Sequence, residues 1–291
     1  MKQVKNYYHL IKPGIVWSNT IAVIAGFFFA TSVAHKLPLG TFLCVVIGTA
    51  LIIASACVIN NYIDRNIDKA MKRTKNRALV TGEIKGTGAI SYGVILGVIG
   101  FILLIIGTNL LTFVLGVVAY IFYVVIYGLA KRASEHGTLV GSIPGALPPV
   151  AGYVAIVGRI DLAAVLLFLL WVTWQMAHFY SIAIYRVDEY KAAGVPLITV
   201  VRGIGAAKKQ IVFYLVLFLL ASLALFFAGY MGIVYLVLQG VLAIMWFIRS
   251  LQLLKAEGKE NEQKAARKLF GFSLLVLLAM CGLTAVGGYL F

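Results

Sequence analysis

Long apolar stretches alternate with short polar ones along the whole chain. Nine apolar segments can be drawn, at about 14–33, 39–62, 87–108, 109–130, 138–158, 161–185, 209–229, 231–250 and 269–290. Each approaches the ~20 residues an α-helix needs to cross the hydrocarbon core of a bilayer. The pattern predicts an all-α membrane protein of nine transmembrane helices, built as a single integral membrane domain over 1–291. Segments three and four abut at Gly107-Thr108-Asn109, which predicts a tight turn. Segment five holds Pro144, Pro148 and Pro149 with Gly141, Gly145 and Gly152, so a kinked helix is expected there. Its freed backbone groups must be buried in protein or face a cavity.

Composition agrees with the pattern. The chain is 62% hydrophobic and 12% charged, with mean hydropathy +0.98, far from the balance of a soluble domain. Cys44, Cys57 and Cys281 fall in apolar segments without CxxC spacing and read as small buried hydrophobes. The formal charge of +15 changes the picture only through its distribution. Lys36 and Arg159 apart, every Lys and Arg lies in the N-terminus or near the connections after segments two, four, six and eight. The positive-inside rule then predicts a multi-pass protein with a cytoplasmic N-terminus and an outer C-terminus. Every acid except Asp161 is on the same face, as are the longer connections at 63–86, 186–208 and 251–268. An active site is therefore expected to face the cytoplasm. No soluble basic domain is available for nucleic acid, so the charge is assigned to orientation and to anionic headgroups of the lipid bilayer.

The chemistry-bearing stretch is NNYIDRNIDKAMKRTKNR at 60–77. Asn60, Asp64 and Asp68 are spaced by four, which on a helix puts them on one face, about 6 Å apart along the axis. Two carboxylates and an amide form a hard-oxygen set suited to Mg²⁺ shared with a phosphate. Lys69, Lys72, Arg73, Lys75 and Arg77 follow at once. Acid for a metal beside base for an anion is what a metal-bound diphosphate requires. A solvated juxtamembrane loop explains the lysines but not the register of the acids.

A second constellation closes segment six, in WVTWQMAHFYSIAIYRVDEYKAAGVPL. His178 and Tyr185 are two helical turns apart and can share a face; Arg186, Asp188, Glu189 and Lys191 follow. An ionisable group in a transmembrane helix is a functional candidate, although a histidine bonded to a neighbouring helix has the same spacing. Trp174 and Gln175 add two hydrogen-bonding groups beside His178. A shift of 121 residues lays Arg65, Asp68, Val80 and Gly82 over Arg186, Glu189, Val201 and Gly203, an echo that sets the end of segment six opposite the end of segment two. Lys131-Arg132 suit a phosphate clamp or topology equally. Asn19, Tyr120, Tyr123 and Tyr127 could line a cavity, and Lys259-Glu260-Asn261-Glu262 reads as a solvated loop. A transporter would spread polar groups through the midplane, whereas here they gather at one face.

The blocks NNYIDRNIDKAMKRTKNRAL at 60–79, GTLVGSIPGALPPVAGY at 137–153, WQMAHF at 174–179 and YKAAGVPL at 190–197, with KPG at 12–14 and ARKLFGFS at 266–273, resemble the UbiA superfamily of intramembrane prenyltransferases over essentially the full length. WQMAHF points to its heme branch, the protoheme IX farnesyltransferases. The resemblance implies a UbiA-type bundle of nine helices around a membrane cavity. It implies farnesyl diphosphate, heme b and water as substrates, and heme O and diphosphate as products. A quinone-precursor acceptor is the alternative within the superfamily. It implies Mg²⁺ on Asp64 and Asp68 with Asn60 in support, and diphosphate held by Lys72, Arg73 and Arg77, with Arg186 and Lys191 closing from the other side. His178 is then the base that takes a proton from water or an axial ligand of the heme iron, and Tyr185 a hydrogen-bond partner of diphosphate or water. Ala177 stands where the branch usually has proline, which should straighten the helix before His178. The resemblance leaves open whether product is handed to a heme A synthase or to terminal oxidase assembly.

Overall fold

The computed structural model describes residues 2–290, and among these every regular element is helical. A short amphipathic helix, α1 (Lys2–Leu10), precedes α2 (Pro13–Ala34) and α3 (Leu39–Ala70). A one-turn α4 (Ala78–Thr81) leads into α5 (Gly86–Gly107). The fourth crossing is composite: α6 (Leu110–Ile121), a π-helical turn at Phe122–Ile126 and α7 (Tyr127–Ala133). Then come α8 (Gly137–Val157) and α9 (Leu162–Tyr185), the short α10 (Val187–Ala192) and α11 (Ile198–Val201), and finally α12 (Ile204–Phe227), α13 (Ile233–Lys255) and α14 (Lys259–Gly287). Nine helices among the described residues are long and apolar enough to cross a membrane. The nine predicted crossings are all present.

Their ends differ from the hydropathy reading in an instructive way. α3 continues eight residues past 62, so Asp64 and Asp68 sit on a helix that emerges from the apolar zone. The stretch 259–262 is not a solvated loop but the first turn of α14, with Glu260 and Glu262 near its N-terminus. Hydropathy marks where the bilayer stops. At the start of α14, Lys, Glu, Gln and Ala are good helix formers and carry the helix beyond it.

Packing follows the rule for helices in lipid, where small residues let backbones approach because no hydrophobic difference drives association. α2 crosses α8 at Gly26 and Gly152. A Cβ on Gly152 would run into the Val23 carbonyl and come within 2.9 Å of the Phe27 amide nitrogen. α3 crosses α5 at Gly48 and Gly100, where a Cβ on Gly100 would lie 2.8 Å from the Gly48 carbonyl oxygen. The outward faces are aliphatic: Ile95, Val98, Ile102 and Ile106 of α5 are all exposed for lipid. α8, the proline-bearing helix, runs without a break and is mostly buried; Pro149 packs against α2, and Pro144 and Pro148 line the interior cavity. The tight turn at 107–109 is present; Asn109 caps α6 by accepting from the Thr112 amide at 2.9 Å and donates to the Val154 carbonyl at 2.8 Å.

Candidate active site

The helices surround one large cavity of about 680 Å³, within the ~300–1,000 Å³ usual for small-molecule sites. Its depths are apolar, with Ile52, Leu104, Leu115, Leu147 and Leu277 among the lining residues. Its mouth is charged. Lys12, Arg73, Arg77, Lys131 and Arg186 line it with only two carboxylates, Asp64 and Asp68. Five cations against two anions leave an excess suited to a polyanionic guest.

The acids stand as the sequence spacing requires, in a ladder up one face of α3. Each rung is held by a cation from a different part of the chain. Lys12 Nζ donates to Asn60 Oδ1 at 3.1 Å. Lys131 Nζ pairs with Asp64 Oδ2, and Arg132 donates to Asp64 Oδ1 at 3.1 Å. Arg77 donates to Asp68 Oδ2 at 2.6 Å and to Asn61 Oδ1 at 2.9 Å. Asn61 in turn donates to the Leu10 carbonyl at 2.8 Å, tying the ladder to the α1–α2 junction. Asn60 Nδ2 is buried without a partner among the described residues. The donor chemistry fits a small hard divalent cation: two carboxylates and an amide oxygen on one helix face, too few to cage it, leaving positions for phosphate oxygens and water.

Lys12 was not anticipated as part of the site. It precedes Pro13 with φ of 52°, in the left-handed region that is sterically disfavoured for a lysine, and this turns its side chain into the cavity. Burial holds its ammonium below the ordinary lysine range; Arg77 and Lys131 push the same way and Asp64 opposes them. Sequence offered only the helix-starting Lys-Pro-Gly as a signal. Lys131 was open between clamp and topology, and the structure places it on Asp64. The extra residue of the π turn rotates everything after it by ~100° relative to an unbroken helix, and Tyr123, Tyr127 and Lys131 all line the cavity.

The second wall is the end of α9. Trp174, Gln175, His178, Tyr185 and Arg186 line the same cavity, so the ends of α3 and α9 do face one hollow. With alanine at 177 the helix passes unbroken through His178, which still reaches the lining. His178 stacks on Trp174 at 4.7 Å between centroids, and its Nδ1 lies 2.6 Å from Ser273 Oγ of α14. Arg186 Nε donates to Tyr185 Oη at 2.9 Å, and its guanidinium also reaches Glu189 at 3.4 Å. Tyr190 joins the lining from α10, and burial raises its phenol, keeping it a neutral donor.

The chain as a whole has counterparts among known proteins. The model of the UbiA prenyltransferase family matches residues 19–276. The chain belongs to that family. It is 46% identical over 284 residues to "Protoheme IX farnesyltransferase 2" of Pseudomonas entomophila (strain L48), covering 97% of this chain and 95% of that protein. It is 44% identical over 283 residues to "Protoheme IX farnesyltransferase" of Citrobacter koseri (strain ATCC BAA-895 / CDC 4225-83 / SGSC4696), covering 97% and 94%. Among solved structures, one described under digeranylgeranylglyceryl phosphate synthase aligns with TM-score 0.81 at 23% identity, over 99% of both chains. A UbiA homolog from Archaeoglobus fulgidus bound to GPP and Mg²⁺ aligns with TM-score 0.68 at 16% identity, over 94% of this chain and 99% of that one. At those identities the likeness establishes the fold. The protein is thus a multi-pass membrane prenyltransferase of the UbiA family.

Of the residues predicted for the site, Asn60, Asp64, Asp68, Arg73, Arg77, His178, Tyr185 and Arg186 meet at the cavity. Lys72 and Lys191 do not: both are exposed and neither belongs to the lining. Asp188 is exposed too; hydrogen bonds from Lys259 at 2.7 Å and Gln263 at 3.2 Å bind it to α14 and hold its carboxyl below the usual range. It is a fastener between elements, and only Glu189, paired to Arg186, stays near the mouth.

Proposed function

We propose that this chain converts heme b to heme O, transferring the farnesyl group of farnesyl diphosphate to a heme vinyl group with addition of water and release of diphosphate. The observation that carries this reading is one cavity with two chemically distinct ends: a carboxylate ladder ringed by cations, and a histidine set in an aromatic wall, with apolar surface between. The names of the relatives supply the heme. In this reading 1–291 act as one domain of the cell inner membrane, with the N-terminus and the charged mouth in the cytoplasm and the C-terminus outside.

Asn60, Asp64 and Asp68 are the residues that would hold Mg²⁺. Bound there, the metal neutralises diphosphate charge as it leaves. Lys12, Arg73, Arg77, Lys131 and Arg186 bind the outer phosphate oxygens, the guanidiniums as forks and the ammoniums as point charges. Arrival of the diphosphate frees Asp64 and Asp68 from their cations and gives those cations an anion in exchange. Tyr190, kept neutral by burial, donates a hydrogen bond, and the Tyr185 hydroxyl donates another. The farnesyl chain lies along the apolar lining, which withholds water from its cationic end until the vinyl carbon attacks. The resulting cation beside the porphyrin takes up one water, whose proton is lost, giving the hydroxyethyl group.

Membranes containing the protein, incubated with heme b and farnesyl diphosphate, should yield a porphyrin heavier by one farnesyl group and one hydroxyl group. Intact heme b with a prenylated quinone precursor formed in its place would overturn the assignment.

A further inference from the structure

The wall around His178 determines more than its position. Ser273 Oγ has two partners at equal distance, the Phe270 carbonyl oxygen at 2.6 Å and His178 Nδ1 at 2.6 Å. The hydroxyl has one proton, and a carbonyl can only accept. If that proton went to Nδ1, two oxygens would face each other lone pair to lone pair at 2.6 Å. The proton therefore goes to Phe270, and Ser273 presents a lone pair to the imidazole. Nδ1 carries the ring hydrogen, and in the neutral ring Nε2 is left bare. Nε2 has no partner among the described residues, while the ring lines the cavity.

The arrangement is braced. Trp174, one helical turn before His178, donates its indole N–H to the Ser273 carbonyl at 3.0 Å and stacks on the imidazole with 22° between planes. Phe270 packs against the ring at 4.9 Å. Ser273 is fully buried. Turning the imidazole over would carry Nδ1 away from Ser273 and break that bond.

We propose that Ser273 is a positioning residue that locks His178 in the Nδ1–H tautomer, leaving Nε2 as a lone-pair donor for the iron of the porphyrin substrate. A bare imidazole nitrogen whose other nitrogen is anchored by an oxygen is the usual arrangement of a histidine that binds metal. Locked in this way, His178 cannot donate a proton to the departing diphosphate. The iron half of the inference rests on the heme reading above; the tautomer half does not.

Both halves are measurable on the full-length protein in detergent. Nitrogen-15 spectra of histidine-labelled, heme-free protein, with His178 assigned by its loss in His178→Asn, should show the Nδ1–H tautomer. Ser273→Ala should give mixed tautomers and Ser273→Thr should restore the single one. Heme b titrations should show a Soret shift that His178→Ala abolishes, with affinity ~10–100-fold weaker in Ser273→Ala and recovered in Ser273→Thr. An Nε2–H tautomer in the wild-type protein overturns the proposal, whatever the variants do. So does Ser273→Ala protein that keeps both the tautomer and the heme affinity. The product-mass assay separately tests whether heme is farnesylated, so either claim can fail without the other.

Discussion

Replacing Asp64 by Asn is the sharpest probe of the ladder. The side chains of Asp64 and Lys131 are each only 13% exposed and are paired directly, with Arg132 on the second carboxylate oxygen. Asparagine keeps the shape and one acceptor but removes the charge. Breaking a buried pair outright costs roughly 3–5 kcal/mol. Asn can still accept a hydrogen bond from the Lys131 ammonium, a contact worth about 1.5–3 kcal/mol, so a net loss of about 1–3 kcal/mol is expected in thermal unfolding in detergent. The catalytic loss should be larger. Deleting one preorganised transition-state contact costs ~10²–10³ in turnover, and a carboxylate serving a metal belongs in that class. The double variant Asp64→Asn/Lys131→Met separates the two effects: with the stranded cation gone, stability should recover while turnover stays low. Farnesyl transfer to heme b, followed by product mass across a Mg²⁺ titration, reads the result. Near-normal turnover of Asp64→Asn at limiting Mg²⁺, or turnover that returns in the double variant, would refute the reasoning, because Asp64 would then only balance Lys131.

Other expectations follow from the same geometry. Lys12→Met should raise the KM for farnesyl diphosphate ~10–100-fold, the equivalent of one charge-assisted hydrogen bond of about 1.5–3 kcal/mol; an unchanged KM would remove Lys12 from the anion site. Because the Lys12 pKa is depressed, its proton leaves at lower pH than an exposed lysine's, so diphosphate affinity should begin to fall early on the alkaline side, and Lys12→Met should lack that limb in a pH–KM profile. The linkage sign runs the other way for stability: the folded chain binds this proton less tightly than the unfolded one, so folding gains as pH rises from the folded to the unfolded pKa. Lys72→Ala and Lys191→Ala, both on exposed side chains, should leave KM within about threefold of the parent on the ~0–1 kcal/mol scale of surface charges; a tenfold rise for either would place it in the site. Gly152→Val should lower the melting temperature through overpacking of ~1–3 kcal/mol or more at the α2–α8 crossing, and an unchanged melting curve would mean that the crossing is loose.

Much of this was legible in the residues. The nine crossings follow from hydropathy alone, and the Asn60, Asp64, Asp68 register stays on one face because α3 does not end where its apolar stretch does. What hydropathy could not give was that continuation, since solubility of a side chain and helicity of its backbone are separate properties. Lys12 was missed because its role depends on a left-handed turn that places it beside a residue 48 positions away. Ser273 was hidden for a similar reason: a serine in an apolar helix ordinarily bonds its own backbone, and this one does that and serves His178 as well. The tyrosines at 120, 123 and 127 were noted by spacing, but no pattern announces a π turn among them. Lys72 was placed with Arg73 by proximity in sequence, although adjacent positions in the 71–77 connection point different ways.

The helix that supplies Ser273 and Phe270 is α14, the latest of the nine to leave the ribosome. It is also fastened to its surroundings: the Gly287 carbonyl accepts from the Gly232 amide at 3.0 Å, and the hydroxyls of Tyr289 and Thr31 meet. A nascent chain inserted as far as α13 already has its acids and basic residues in place, yet His178 stands beside a missing wall. If His178 grips the porphyrin as proposed above, that grip forms only once α14 has packed against α9.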